Sequence, residues 1–103
     1  HQFCRIGSLV TVAGGAMVTQ DVPPFCMVHG DRAAINGLNV VGIRRAKFDG
    51  ETVEAIKNMF RLLYKAGLTA EEAVAKIEQE VPASASRTLF CDFVRSSERG
   101  VVR

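Results

Sequence analysis

The first 22 residues repeat in sixes, and that period excludes most ways a chain can fold. Ile6, Val12 and Val18 are spaced by six, and so are Val10, Ala16 and Val22. An α-helix repeats at 3.6 and a half-buried strand at 2, so neither accounts for the pattern. A parallel β-helix does: each hexad makes one short strand and one turn, and the recurrent aliphatic residue points inward. Gly7 and Ala13 each follow one of these aliphatic residues, where a side chain must be small. The alternative reading of the same residues is a hairpin turning at Gly14-Gly15. Repeats of this kind gain stability by stacking on their neighbours, and about three are needed before a core exists. This stretch holds little more than one coil, so the expectation is that more coils precede His1. The ladder should end at Val22-Pro23-Pro24, where two donors are lost and φ is fixed twice. Phe25, Met27 and Val28 then suit one more apolar strand.

The period changes across Gly30 to Lys47. Gly37 and Gly42 bracket Leu38-Asn39-Val40-Val41, read as a tight connector with room for close backbone approach. Beyond it the spacing becomes helical. Val53, Ile56, Phe60 and Leu63, with Met59 beside them, give an amphipathic helix from about Gly50 to Ala66. Asp49 suits its N-cap, and Gly67 suits the C′ position that follows. Thr69 and Glu72 form a T-x-x-E capping box for a second helix. Its apolar face is Ala70, Ala73, Val74 and Ile77, and Val81-Pro82 ends it. A third helix is expected from about Ser84 to Glu98, burying Leu89, Phe90, Phe93 and Val94. The fold class is therefore mixed β and α: the last coils of a β-helix, then a three-helix domain. The boundaries fall at 1–36 for the β-helix end, 37–48 for the connector and 49–103 for the helical domain.

Composition removes several functions. The apolar fraction of 48% suits a packed domain, and no apolar run is long enough to span a bilayer. The opening residues lack the basic start and apolar run of a signal peptide. Thirteen basic and eleven acidic residues give a net charge of +2, too mild for a nucleic-acid partner. The aromatics do not alternate with a basic patch as a stacking platform requires. Three widely spaced cysteines, Cys4, Cys26 and Cys91, include no CxxC and read as buried free thiols of a reducing compartment. His1 and His29 have no acidic partners at ligand spacing, so no metal site is expected. No GxSxG, HEXXH, P-loop or GxGxxG is present, which disfavours a self-contained hydrolase or nucleotide-cofactor enzyme.

The residues with chemistry to offer lie in the connector. Arg44, Arg45 and Lys47 are the densest positive charge in the chain. Guanidinium groups match phosphate oxygens with two parallel hydrogen bonds. The same residues also suit a solvated basic turn. Asn39 carries a donor and an acceptor, fit for a base or sugar edge and equally for a turn. His1 at a coil corner reaches a groove between subunits or sits on a plain surface. Arg61, Lys65, Arg95 and Arg99 lie off the apolar helix faces and read as solvated.

Three features then coincide: HQF opening a hexad, VTQDVPPF closing the coils, and GLNVVGIRR before helices ending in ERGVVR. Together they resemble the C-terminal part of the bacterial UDP-N-acetylglucosamine acyltransferase family, over essentially the whole chain. The VxxDVPP ending is shared with many hexapeptide-repeat transferases, whereas GLNxxGxxR with the helical tail is far more specific. The resemblance implies a left-handed parallel β-helix and a helical domain, assembled as a cytoplasmic homotrimer without a cofactor. It implies transfer of an (R)-3-hydroxyacyl chain from acyl carrier protein to the glucosamine 3-hydroxyl of UDP-N-acetylglucosamine, the first step of lipid A synthesis. The family's general-base histidine belongs to an earlier coil, so no catalytic residue is expected within these 103. By position, His1 and Gln2 match the pair lining the groove between subunits, and Gly14 the glycine near the end of the acyl chain. Asn39 and Arg45 match residues that hold the uridine nucleotide, with Arg44 beside them. Arg32 stands in GDRA where the better-known members have histidine, which bears on the acyl pocket. Ala46 stands where a second arginine is usual, and Arg44 or Lys47 can take its place. The basic residues of the helices are then expected to face the acidic carrier protein.

Two other classes fit part of the pattern. One is another hexapeptide acyltransferase, acting on an amine of the same pathway or using acetyl-CoA on a sugar. The other is a non-catalytic module for trimer assembly or docking.

Overall fold

The structure is a computed structural model, and it describes residues 7–12, 20–30, 34–97 and 100–103. The elements run β1 (Thr11–Val12), β2 (Cys26–His29), β3 (Ala34–Leu38), α1 (Val40–Arg45), α2 (Gly50–Tyr64), α3 (Ala70–Glu80) and α4 (Ala85–Arg95). The fold is mixed, with a small sheet and four helices among the described residues. The chain divides into two compact units, His1–Lys47 with Ser97–Arg103, and Phe48–Ser96.

In the first unit the strands lie in the order β1-β2-β3. β1 pairs in parallel with β2, Thr11 opposite Met27 and Val12 opposite Val28. Two parallel neighbours need a connection that brings the chain back to run the same way. Two more backbone bonds, Gly7 N–H to the Val22 carbonyl at 2.7 Å and Phe25 N–H to the Ser8 carbonyl at 2.8 Å, extend the tie. Gly7 is small for the reason the hexad pattern gave: a Cβ there would run into the Pro23-Pro24 backbone, 2.8 Å from Pro23 C. Both prolines are fully buried. Of the hexad valines that are described, Val22 is buried, Val10 half-buried and Val12 40% exposed. Val12 was expected to point inward, and among the described residues β1 pairs with β2 alone and leaves Val12 exposed.

β2 pairs antiparallel with β3, with a register shift between Met27 and Val28. The sequence showed β2 and gave no sign of β3. The last residues also return to this unit. Asp21 forms a parallel bridge with Val101. Its N–H donates to the Gly100 carbonyl at 3.0 Å, and its carbonyl accepts from Val102 N–H at 2.8 Å. The Asp21 carboxyl, 1% exposed, accepts the Ser97 hydroxyl at 2.6 Å. Val101 and Val102 are buried, which offsets the ordering of a chain end.

The second unit is three helices whose ends are set by local chemistry. Asp49 caps α2, accepting from Thr52 N–H at 2.8 Å, and bonding to Thr52 holds its carboxyl below the usual range. The Thr69–Glu72 capping box closes in both directions, at 3.1 and 2.9 Å. Ser84 caps α4 through Arg87 N–H at 3.1 Å. Arg87 also reaches back to the end of α3, donating to the Val81 carbonyl at 2.9 Å and meeting a carbonyl that the helix leaves unpaired. The buried faces are Ala55, Ile56, Met59, Leu62 and Leu63 on α2, and Ala73, Val74 and Ile77 on α3. On α4 they are Phe90, Cys91 and Val94. Leu89 was expected inside and is 42% exposed. At 100° per residue it lies off the arc shared by Phe90, Val94 and Cys91, so the thiol takes the place assigned to leucine. Cys26 and Cys91 are free and buried. α4 stops at Arg95, three residues short of the expected end.

Candidate functional site

The connector holds a helix that the sequence did not announce. Val40–Arg45 is α1, six residues long. Asn39, read as a ligand-facing side chain or a turn residue, is its N-cap and is 7% exposed. The amide Oδ1 accepts from Gly42 N–H at 3.1 Å, and Nδ2 donates to the Leu9 carbonyl at 2.8 Å. The Asn39 main chain is bonded as well: its N–H donates to the Phe25 carbonyl at 2.6 Å and its carbonyl accepts from Ile43 N–H at 2.9 Å. Of the two glycines bracketing this stretch, close approach occurs at Gly42. A Cβ there would collide with the Asn39 amide, meeting Nδ2 and lying 2.9 Å from Cγ.

Ile43 is the buried anchor of α1. Arg44 and Arg45 fall in its last turn, where a cation is favoured by the helix dipole, and both are exposed. Lys47 follows at φ +57°, ending the helix in the left-handed region that glycine usually fills. Among the described residues, none of these three cations takes part in an ion pair. The valines of the first turn, Val40 and Val41, are 56% and 54% exposed. Each stands four residues before an arginine, on the same side of the helix. The result is a short helix with two exposed guanidinium groups at its C-terminal end.

The structure thus groups Asn39, Arg44 and Arg45 on one element. His1, Gln2, Gly14 and Arg32 lie outside the described residues. Sequence reasoning missed Leu9 and Phe25, whose carbonyls fix Asn39. Nothing in their residue types signals the role, since both have positive φ, +54° and +72°, without being glycine. α1 itself left a trace, an Asn followed within seven residues by two arginines, but Gly42 inside it masked the helical pattern.

Comparison with known proteins defines the class. Residues 21–102 match the family model described as UDP-N-acetylglucosamine O-acyltransferase, domain 2. The chain belongs to that family. It is 39% identical over 103 residues to the acyl-[acyl-carrier-protein]–UDP-N-acetylglucosamine O-acyltransferase of Myxococcus xanthus. It is 44% identical over 107 residues to the protein of that name from Paracidovorax citrulli. All of this chain is covered in both, against 40% and 41% of the relatives, so it spans about two fifths of their length. Among solved structures, the UDP-N-acetylglucosamine acyltransferase of Bacteroides fragilis superposes with a TM-score of 0.94 at 42% identity. The corresponding structure from Acinetobacter baumannii gives 0.93 at 35%. Each covers the whole of this chain and 40% of the solved one.

Proposed function

We propose that this chain is the C-terminal portion of an enzyme that moves an (R)-3-hydroxyacyl group from acyl carrier protein to the glucosamine 3-hydroxyl of UDP-N-acetylglucosamine. That reaction opens lipid A synthesis, in the cytoplasm. The observation that carries the reading is the match of the whole chain, at about 40% identity, to proteins of that name.

In this reading a histidine of an earlier coil takes the proton of the sugar hydroxyl as its oxygen attacks the thioester carbonyl. The tetrahedral intermediate collapses and expels the carrier thiol, leaving an ester on the sugar. These residues supply binding and leave proton transfer to that histidine. Arg44 and Arg45 hold the diphosphate, with Asn39 at the head of the same helix; their shared placement on α1 supports this. His1 and Gln2 line the groove between subunits of a homotrimer. Gly14 and Arg32 bound the acyl pocket. Arg61 on α2 and Lys65 at its C-cap, both exposed, steer the acidic carrier protein. Arg95 is already bound to Glu78 at 2.8 Å and contributes less. The chain opens with the end of a left-handed β-helix over 1–36, followed by a connector at 37–48 and a helical domain over 49–103, of which Ser97–Arg103 return to the first compact unit. The parallel pairing of β1 with β2, sixteen residues on (Thr11 with Met27, 27 − 11 = 16), supports a coil that returns in the same direction.

The test is calorimetry of UDP-N-acetylglucosamine on the full-length protein. Arg45→Ala should weaken binding by about 1.5 to 3 kcal/mol, the worth of a hydrogen bond to a charged group. Unchanged affinity would remove Arg45 from the site. Transfer from acetyl-CoA, with none from the acyl carrier protein thioester, would move the protein to a different hexapeptide transferase.

A further inference from the structure

The chain leaves the first unit after Lys47 and re-enters it at Ser97, so the helices of Phe48–Ser96 are an insertion between two of its segments. The returning segment lands on one residue. Asp21 N–H donates to the Gly100 carbonyl at 3.0 Å, and the Asp21 carbonyl accepts from Val102 N–H at 2.8 Å. Its carboxyl accepts the Ser97 hydroxyl at 2.6 Å. Val101 lies opposite Asp21 in a parallel bridge. Main-chain donor, main-chain acceptor and side chain of one buried residue are thus all engaged by the same segment, from three of its positions. The residues just after Asp21 bond into the coil instead: the Val22 carbonyl accepts from Gly7 N–H, and Phe25 N–H donates to the Ser8 carbonyl.

Main-chain pairing along a sheet edge is how sheets take up extended peptides. At Asp21 the carboxyl marks the place, because a buried carboxylate needs hydrogen-bond donors and a hydroxyl seventy-six positions away supplies one. The burial of Val101 and Val102 and these bonds stand against the cost of ordering the returning chain. Local balances of this kind let a segment open well before the whole structure unfolds.

We propose that the strand at Asp21 is a docking slot for an extended peptide, filled in cis by Ser97–Arg103, and that this segment is a strap that opens while the coil stays folded. The slot takes a hydroxyl for the carboxyl, then a carbonyl and an N–H in parallel register, with two valines to bury. With the strap closed, the inserted helices are anchored where the chain enters them and where it leaves. With it open, the anchor at the exit is lost. Nothing in this depends on the nucleotide reading.

Hydrogen exchange on the full-length protein tests both parts. The amides of Asp21 and Val102 report the strap, and those of Gly7 and Phe25 report the coil. In the wild type the first pair should exchange together and faster than the second. Ser97→Ala should speed the first pair on the order of tenfold, as when a hydrogen bond to a charged group is lost, and leave the second unchanged. Ser97→Thr keeps the hydroxyl and should restore slow exchange. Val102→Asp should hold the strap open with the coil intact. A synthetic peptide of the sequence Ser97–Arg103 should then protect the Asp21 amide again, and the same peptide with alanine for its serine should protect it less. Exchange in step at all four amides, in the wild type and in Ser97→Ala, would overturn the strap, for the segment would then be a fixed part of the coil. So would a Val102→Asp protein that unfolds. A folded Val102→Asp protein whose Asp21 amide the peptide leaves unprotected would overturn the slot.

Discussion

Replacing Gly42 by alanine tests the cap of α1 through the sign of its effect. In an ordinary helix interior, glycine to alanine stabilises by about 1 kcal/mol, because alanine has less backbone freedom to lose. At Gly42 the new Cβ would fall against Nδ2 of Asn39, 2.9 Å from Cγ and 3.3 Å from Oδ1. The amide must turn away. It then loses the cap bond to Gly42 N–H, worth about 1 kcal/mol, and the bond to the Leu9 carbonyl, worth about the same. A displaced rotamer adds about 1 kcal/mol. Subtracting the propensity gain leaves Gly42→Ala destabilising by about 2 kcal/mol. Denaturant unfolding of the full-length protein measures this. The paired variant Asn39→Ala/Gly42→Ala separates the causes: with the amide gone, alanine at 42 should stabilise relative to Asn39→Ala alone. A Gly42→Ala protein more stable than wild type would refute the reasoning, since the amide would then not lie over residue 42.

Three further outcomes follow from the same structure. Thr69→Ala should cost about 1 kcal/mol by opening the capping box of α3, and retained stability in denaturant unfolding would show that Glu72 alone suffices. Lys47→Gly should stabilise by roughly 0.5 to 1 kcal/mol, because relief of the left-handed residue at +57° exceeds the added freedom of the unfolded chain; a lower melting temperature would contradict this. Burial pushes the Cys26 thiol from 9.0 up to about 12. Above pH 9 the unfolded chain loses that proton while the folded chain keeps it, so stability should fall by about 1.4 kcal/mol per pH unit up to about pH 12. Cys26→Ser, compared with wild type across that range, should remove this slope, and an unaltered slope would assign the loss elsewhere.

What was legible in the sequence was what neighbouring residues decide. Two of the three long helices announced themselves through caps at Asp49 and at Thr69 with Glu72, because a cap joins a side chain to an N–H only three residues on, and the third through its apolar spacing from about Ser84, which the structure shows to be its cap. The period of 3.6 found part of each face: Ile56, Met59, Leu63, Ala73, Val74, Ile77, Phe90 and Val94 are buried, whereas Val53, Phe60, Ala70 and Phe93 are half-buried at the edges, Leu89 is exposed, and Ala55, Leu62 and Cys91 take inner places that the pattern did not assign. The family was legible because its motifs are contiguous runs. The cationic end of the site was legible as composition alone, in Arg44, Arg45 and Lys47.

Tertiary structure alone decided how that end is held. Asn39 reaches Leu9 across thirty positions, and Ser97 reaches Asp21 across seventy-six. No local preference encodes a bond over such a separation, since it forms only when packing brings the two segments together. Positive φ at Leu9 and Phe25 runs against their own preferences and goes with the bonds made by the Leu9 carbonyl and by the carbonyl and amide of Phe25. The short helix α1 belongs here too. Six residues with a glycine inside have no helical tendency in isolation, because nucleation outweighs so few propagating bonds. It exists because Asn39 is anchored before it and Ile43 is buried within it.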